Sequence, residues 1–96
     1  MKIDQVFNEH NDELHITSGE LIVEDETSGS WEAKLYGVEN QRFFTDAMKD
    51  DTKERLTFET DRGTLNGIIS VEALDSTVEE SVITLKGVGH LNGLRN

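Results

Sequence analysis

Thr64-Leu65-Asn66-Gly67-Ile68-Ile69-Ser70-Val71-Glu72-Ala73 is the stretch that decides the fold. Leu65, Gly67, Ile69, Val71 and Ala73 share one parity, opposite Thr64, Asn66, Ser70 and Glu72. A period of two marks a strand with one buried and one wet face. Asp61-Arg62-Gly63, just upstream, reads as a short hairpin connection with glycine where positive φ is expected. Before that turn, Leu56 and Phe58 alternate with Arg55, Thr57 and Glu59. After a polar loop from Asp75 to Ser81, Ile83 and Leu85 continue the inward pattern in a last strand.

Working toward the N-terminus, Phe43 pairs with Ala47 and Phe44 with Met48 at i,i+4, which predicts a helix over Asn40 to Lys49. Asp50-Asp51 would sit badly at the negative end of that helix, so it should stop before them. Trp31, Ala33, Leu35 and Gly37 point one way and Glu32, Lys34 and Tyr36 the other, a strand entered from the polar loop Asp25–Ser30. Leu21 and Val23 are inward in Glu20–Asp25. Ser18-Gly19 reads as a tight turn or bulge, and Leu14 and Ile16 as a strand before it. Ile3, Val6 and Phe7 stand at helical spacing, so residues 1–12 are predicted as an arm or a single helical turn. Residues 91–96 are predicted as a flexible tail.

The pattern gives about six short strands and one helix within residues 1–96, read as one small domain. Even spacing and Gly-bearing turns favour a mostly β fold: a six-stranded antiparallel barrel, or a strongly curled sheet, with one short capping helix. Closure removes the exposed edges that a small open sheet must protect. The expected core is Trp31, Leu35, Phe58, Leu65, Ile69, Val71, Ile83 and Leu85. Leu, Ile, Val and Phe make up 26 of 96 residues, enough for a thin core but not for a deep internal cavity.

Against this framework stands a net charge of −11, from 20 acidic and 9 basic residues. Residues 1–30 carry eight acids and one base, a net of −7, whereas residues 31–60 and 61–96 each carry −2. A fixed negative field repels nucleic acid and phosphates and attracts basic partners. Cysteine is absent, which excludes disulfides and thiolate zinc sites and suits a reducing compartment. No run approaches a membrane span, and Met1-Lys2-Ile3-Asp4 opens without the apolar stretch of a signal peptide, so a soluble cytoplasmic protein is expected.

The sequence signals little chemistry. His10 and His15 lie near Glu9, Asp12 and Glu13, but their spacing matches no known metal site, and surface positions are expected for them and for His90. Asp46, Asp50 and Asp51 cluster near a helix end, the Asp25–Ser30 loop lacks the ligand pattern of an EF-hand, and both groups read as solvated carboxylates. Gly87-Val88-Gly89-His90-Leu91-Asn92-Gly93 has the glycines of a phosphate loop but no helix follows within the sequence, so a β-bulge or flexible final strand is expected. No Ser-centred elbow, Cys–His pair or nucleotide fingerprint is present. No catalytic residue, metal or cofactor is therefore expected.

The strand layout, with its Asp-containing loop near residue 25 and a Gly-bearing last strand, resembles the PilZ barrel of cyclic-dinucleotide receptors in architecture alone. That family's Arg-x-x-x-Arg pair has no counterpart, since the first arginine is Arg42, and Asp25-Glu26-Thr27-Ser28-Gly29 misses its Asp-x-Ser-x-x-Gly pattern. Nucleotide binding does not carry over.

The expected function is a non-enzymatic acidic binding module: an adaptor, assembly factor or inhibitor acting on a protein with a basic surface, of the kind encoded by phages and mobile elements. Its contact residues should be Glu20, Glu24, Asp25, Glu26 and Glu32 around one hairpin, with Phe43 and Phe44 as aromatic anchors if the helix exposes them. Two rival readings are a nucleic-acid mimic, whose carboxylate rows imitate phosphates, and a structural component that packs against copies of itself.

Overall fold

Six antiparallel strands close on themselves in the order β1-β2-β3-β6-β5-β4. The structure is a computed structural model that describes residues 1–25, 30–39, 41–76 and 80–93. Its elements are β1 (Lys2–Phe7), β2 (Ser18–Asp25), β3 (Ser30–Tyr36), α1 (Gln41–Asp50), β4 (Glu54–Thr60), β5 (Gly63–Ser76) and β6 (Ser81–Asn92). The expected class, a small barrel with one short helix, is the observed one.

The seam that closes the ring joins β1 to β4, and it corrects the N-terminal expectation. Residues 2–7 form a strand, not a helical turn or arm. Ile3 and Val6 are both fully buried although three residues apart, because the register shifts between Ile3↔Thr60 and Gln5↔Glu59. A bulge absorbs the extra residue and returns Val6 to the inner face. The helical spacing read from the sequence was thus the trace of a bulge. Lys2 and Asp61 lock the seam: the Lys2 amide donates to Asp61 Oδ1 (3.1 Å) and the Asp61 amide to the Lys2 carbonyl (3.1 Å).

A second correction follows from the first. Leu14 to Thr17 lie in the β1–β2 connection, and Ser18-Gly19 begin β2 instead of turning the chain. The Asn8 side chain organises the connection, accepting the His10 and Asp12 amides at 2.9 Å each, and Leu14 is buried with its amide on the Val6 carbonyl. Gly19 faces inward, where a Cβ would press on Ile3, Ile16 and Leu35 at 3.1–3.3 Å. It is glycine for lack of room.

In the ring β3 and β4 stand opposite one another, so the segment between them must cross a barrel end. α1 lies in that segment, with Phe44 and Ala47 buried and Phe43 packed half-buried on the core. The helix ends one residue later than expected, at Asp50. Asp51 takes a left-handed φ of 53°, the Thr52 amide reaches the Ala47 carbonyl (2.9 Å) and the Asp51 amide the Met48 carbonyl (3.3 Å). These two bonds form a Schellman cap. Satisfying the terminal carbonyls outweighs the few tenths of a kcal/mol that carboxylates lose at this end. The helix also packs on β5, which runs on past Ile69, the partner of Glu54 at the start of β4; an edge there is covered.

All eight expected core residues join the core. Seven are buried, and Val71 packs against it half-buried. Ala73, expected inward, does not follow them: the register shifts between Val71↔Leu85 and Ala73↔Thr84, and Leu74 takes the core-facing place opposite Ile83. Leu91 and Asn92, expected in a flexible tail, belong to β6.

The opposite end of the barrel is filled by Trp31. Its ring meets Phe58 edge-on, with centroids 6.0 Å apart at 82°. It lies directly against Gly67 and Gly87: a Cβ on Gly67 would come 2.7 Å from the indole, and one on Gly87 would fall inside it. The indole Nε1 donates to the Gly89 carbonyl at 3.0 Å, so its polar atom is satisfied without solvent. Among the described residues, no helix is long and apolar enough to cross a membrane.

Two outcomes test this packing. Ile69→Ala should cost about 2–5 kcal/mol in denaturant unfolding; a cost below about 0.5 kcal/mol would contradict complete burial. Gly87→Ala should destabilise by about 1–3 kcal/mol through overpacking, with a change in the emission of Trp31. A neutral Gly87→Ala would show that the indole does not rest where described.

Candidate functional site

The outward parity of β2 and β3 presents Glu20, Ile22 and Glu24 on one strand and Glu32, Lys34 and Tyr36 on the next. Glu20 and Glu24 are exposed and Glu32 half-buried, as their parity requires. Strand pairing then divides these carboxylates into two groups. Glu20 stands between Lys2 on β1 and Lys34 on β3, directly opposite each. Opposite charges at facing positions stabilise a sheet and neutralise one another locally. Glu20 is therefore a poor source of negative field.

Glu24 and Glu32 are placed differently. Together with Ser30, Trp31, Glu72, Lys86 and Gly87 they line an open groove of about 340 Å³ on the β2–β3–β6–β5 side. Closure of the barrel sets β6 and β5 beside β3, and the irregularity between Val71 and Ala73 places exposed Glu72 at the groove. Glu32 faces Lys86 across the β3–β6 pair. Three carboxylates and one lysine thus line the same groove, a net of −2. Gly87 contributes by having no side chain, so that the Trp31 edge forms part of the wall.

Glu72 and Lys86 were absent from the sequence-based site. Both lie on outward parity in their strands, but only the strand order β3-β6-β5 shows that they adjoin a hairpin about 50 residues upstream. Asp25 ends β2 opposite Ser30, and its side chain and the whole of Glu26 fall outside the described residues. Phe44 must be withdrawn as a partner anchor. It is fully buried, and Phe43 packs edge-on against it at 5.1 Å and 86°, half-buried on the core. These rings hold the helix on the barrel end.

The remaining chemical candidates stay apart. His10 neighbours Glu9 at 3.9 Å and His15 neighbours Glu13 at 3.4 Å, all in the β1–β2 connection, while His90 is exposed on β6. No three metal-ligating side chains converge among the described residues. Gly87 to Asn92 are strand, with a register shift between Ile68↔Val88 and Asn66↔Asn92. A bulge is one of the two outcomes expected there, and its Gly89 carbonyl is occupied by Trp31. A second groove of about 330 Å³ lies at the Trp31 end of the barrel, lined by Met1, Leu21, Val23, Asp61 and Arg62.

No protein-family model matches the chain, and no curated protein is detectably similar to it. Its fold is similar to that of a solved structure described as a hypothetical protein from Staphylococcus aureus, with a TM-score of 0.70 at 16% identity. The similarity covers 96% of this chain and 67% of the other. At that identity the likeness is one of fold alone.

A double-mutant cycle on Glu32 and Lys86 tests the site's geometry. The facing pair should couple favourably by about 0.2–1 kcal/mol, as cross-strand charges do. A coupling of zero would mean that the two charges are solvated independently.

Proposed function

We propose that this chain is a non-enzymatic acidic binding module, an adaptor, assembly factor or inhibitor that docks a basic protein surface at the Glu24–Glu32–Glu72 groove. The observation that carries this reading is the convergence of three carboxylates from three strands on one open groove. The filled barrel interior supports it. Trp31, Phe44 and Phe58 occupy the space in which a ligand-carrying barrel holds its cargo. A reducing cytoplasm suits a chain without cysteine, and a phage or mobile-element origin fits its size and acidity.

The alternation of charge along the outward rows favours protein docking over mimicry of nucleic acid. A mimic needs carboxylates in uninterrupted rows, whereas Lys2, Lys34 and Lys86 interrupt these. A rim of mixed sign with a local acidic excess suits steering toward a basic patch, followed by specific pairing.

The test is capture at low salt of a basic partner on immobilised protein, followed by association kinetics. Reversing Glu24 and Glu72 to Lys should slow association by roughly tenfold or more and leave dissociation nearly unchanged. The fold should survive, since both side chains are exposed. Association should also weaken as salt rises, because such charges are screened within about 8–10 Å. An on-rate flat across salt and indifferent to the reversals would reduce the acid to a solubility device.

A further inference from the structure

The chain contains two Asn-Gly dipeptides, Asn66-Gly67 and Asn92-Gly93, and the fold treats them in opposite ways. In such a pair the glycine amide nitrogen can attack the asparagine side-chain carbonyl, because no Cβ on the following residue blocks its approach. The new N–C bond closes a five-membered imide and ammonia leaves. Water then opens either imide carbonyl, giving aspartate or isoaspartate, and the chain gains one negative charge. The attack requires the backbone to leave the extended form, so its rate follows how easily the site opens locally.

Asn66 is held on every side. Its backbone pairs with Thr57 on β4 and with Asn92 on β6. Its Oδ1 accepts from Arg55 Nη1 (3.3 Å) and Asn92 Nδ2 (3.4 Å). Gly67, which supplies the attacking nitrogen, lies against the Trp31 indole. Asn92 is the last residue of β6, exposed, and separated from the next paired residue by the bulge after Val88. Gly93 beyond it has left the strand, with a φ of 95°. One backbone pairing and the Nδ2 hydrogen bond, both to Asn66, hold Asn92 in place.

We propose that Asn92-Gly93 is a site of spontaneous deamidation in the folded protein, and that Asn66-Gly67 is protected by the β4–β5–β6 ladder and Trp31. The product carboxylate at residue 92 loses the amide donor to Asn66 and lies near the Arg55 guanidinium that shares this acceptor. An aged population would then carry a mixture of amide, aspartate and isoaspartate at the end of β6.

The experiment incubates the full chain in mildly alkaline buffer, native and in denaturant, and follows both sites by peptide mass mapping with isoaspartate detection. In the native protein, Asn92 should exchange its side-chain nitrogen for oxygen at least about tenfold faster than Asn66, and the gap should close in denaturant, where the ladder is absent. Asn92→Gln should abolish the native mass gain, since ring closure through the longer side chain is unfavourable. Gly93→Ala is a poorer control, because a Cβ there would lie 2.6 Å from the Thr64 carbonyl at a left-handed φ. Equal native rates at the two sites, or a native Asn92 that stays intact while the unfolded chain converts, would overturn the proposal, as would a native mass gain that persists in Asn92→Gln.

Discussion

The indole of Trp31 is the constraint on which the rest of this barrel depends. A ring of six strands has little interior, and the largest side chain in the alphabet occupies one end of it. Two strands therefore surrender their side chains where they pass the ring, at Gly67 and Gly87. A third position, Gly89, turns its carbonyl toward Nε1 within the bulge of β6. The donor is satisfied inside the fold, so burying the ring costs no unpaired polar group. Phe58 completes the packing from β4.

The other end has a topological solution. Because β3 and β4 face each other across the ring, the chain cannot pass between them without spanning the opening, and α1 is the span. Its Phe44 reaches the same core as Trp31 does from the far end. Two aromatic plugs and a ring of Leu, Ile and Val make up the core among the described residues. On the outer surface the register decides which charges are neighbours. Glu20 is flanked by lysines, while Glu24, Glu32 and Glu72 share a groove with one. The same net charge would have a different reach had the strands paired one residue out of register.

Much of this was legible in the chain. The alternation in β3, β4, β5 and β6 placed seven buried core residues correctly, and Asp61-Arg62-Gly63 marked the hairpin where Gly63 has a φ of 110°. Two of the three misreadings share a cause. Ile3 and Val6 looked helical because a bulge lies between them, Ala73 looked buried because another bulge precedes it, and Ser18-Gly19 looked like a turn though Gly19 is there for space. A bulge inserts one residue into a period of two, and a short window cannot distinguish that from a change of period. The six strands expected and the six observed therefore agree in number while differing at the N-terminus.

The sequence by itself determined the class of fold, the inward faces of four strands, the helix and its aromatic pair, and the size and sign of the charge. These are local properties, set by the period of apolar residues and by turn chemistry within a few positions. Tertiary structure alone decided that the ring closes through β1 and β4, that Phe44 is core and not contact, and that Glu72 and Lys86 share a groove with Glu24 and Glu32. Those outcomes depend on which strands lie side by side and in what register. That choice is made by the packing of distant side chains around Trp31, and no stretch of neighbouring residues encodes it.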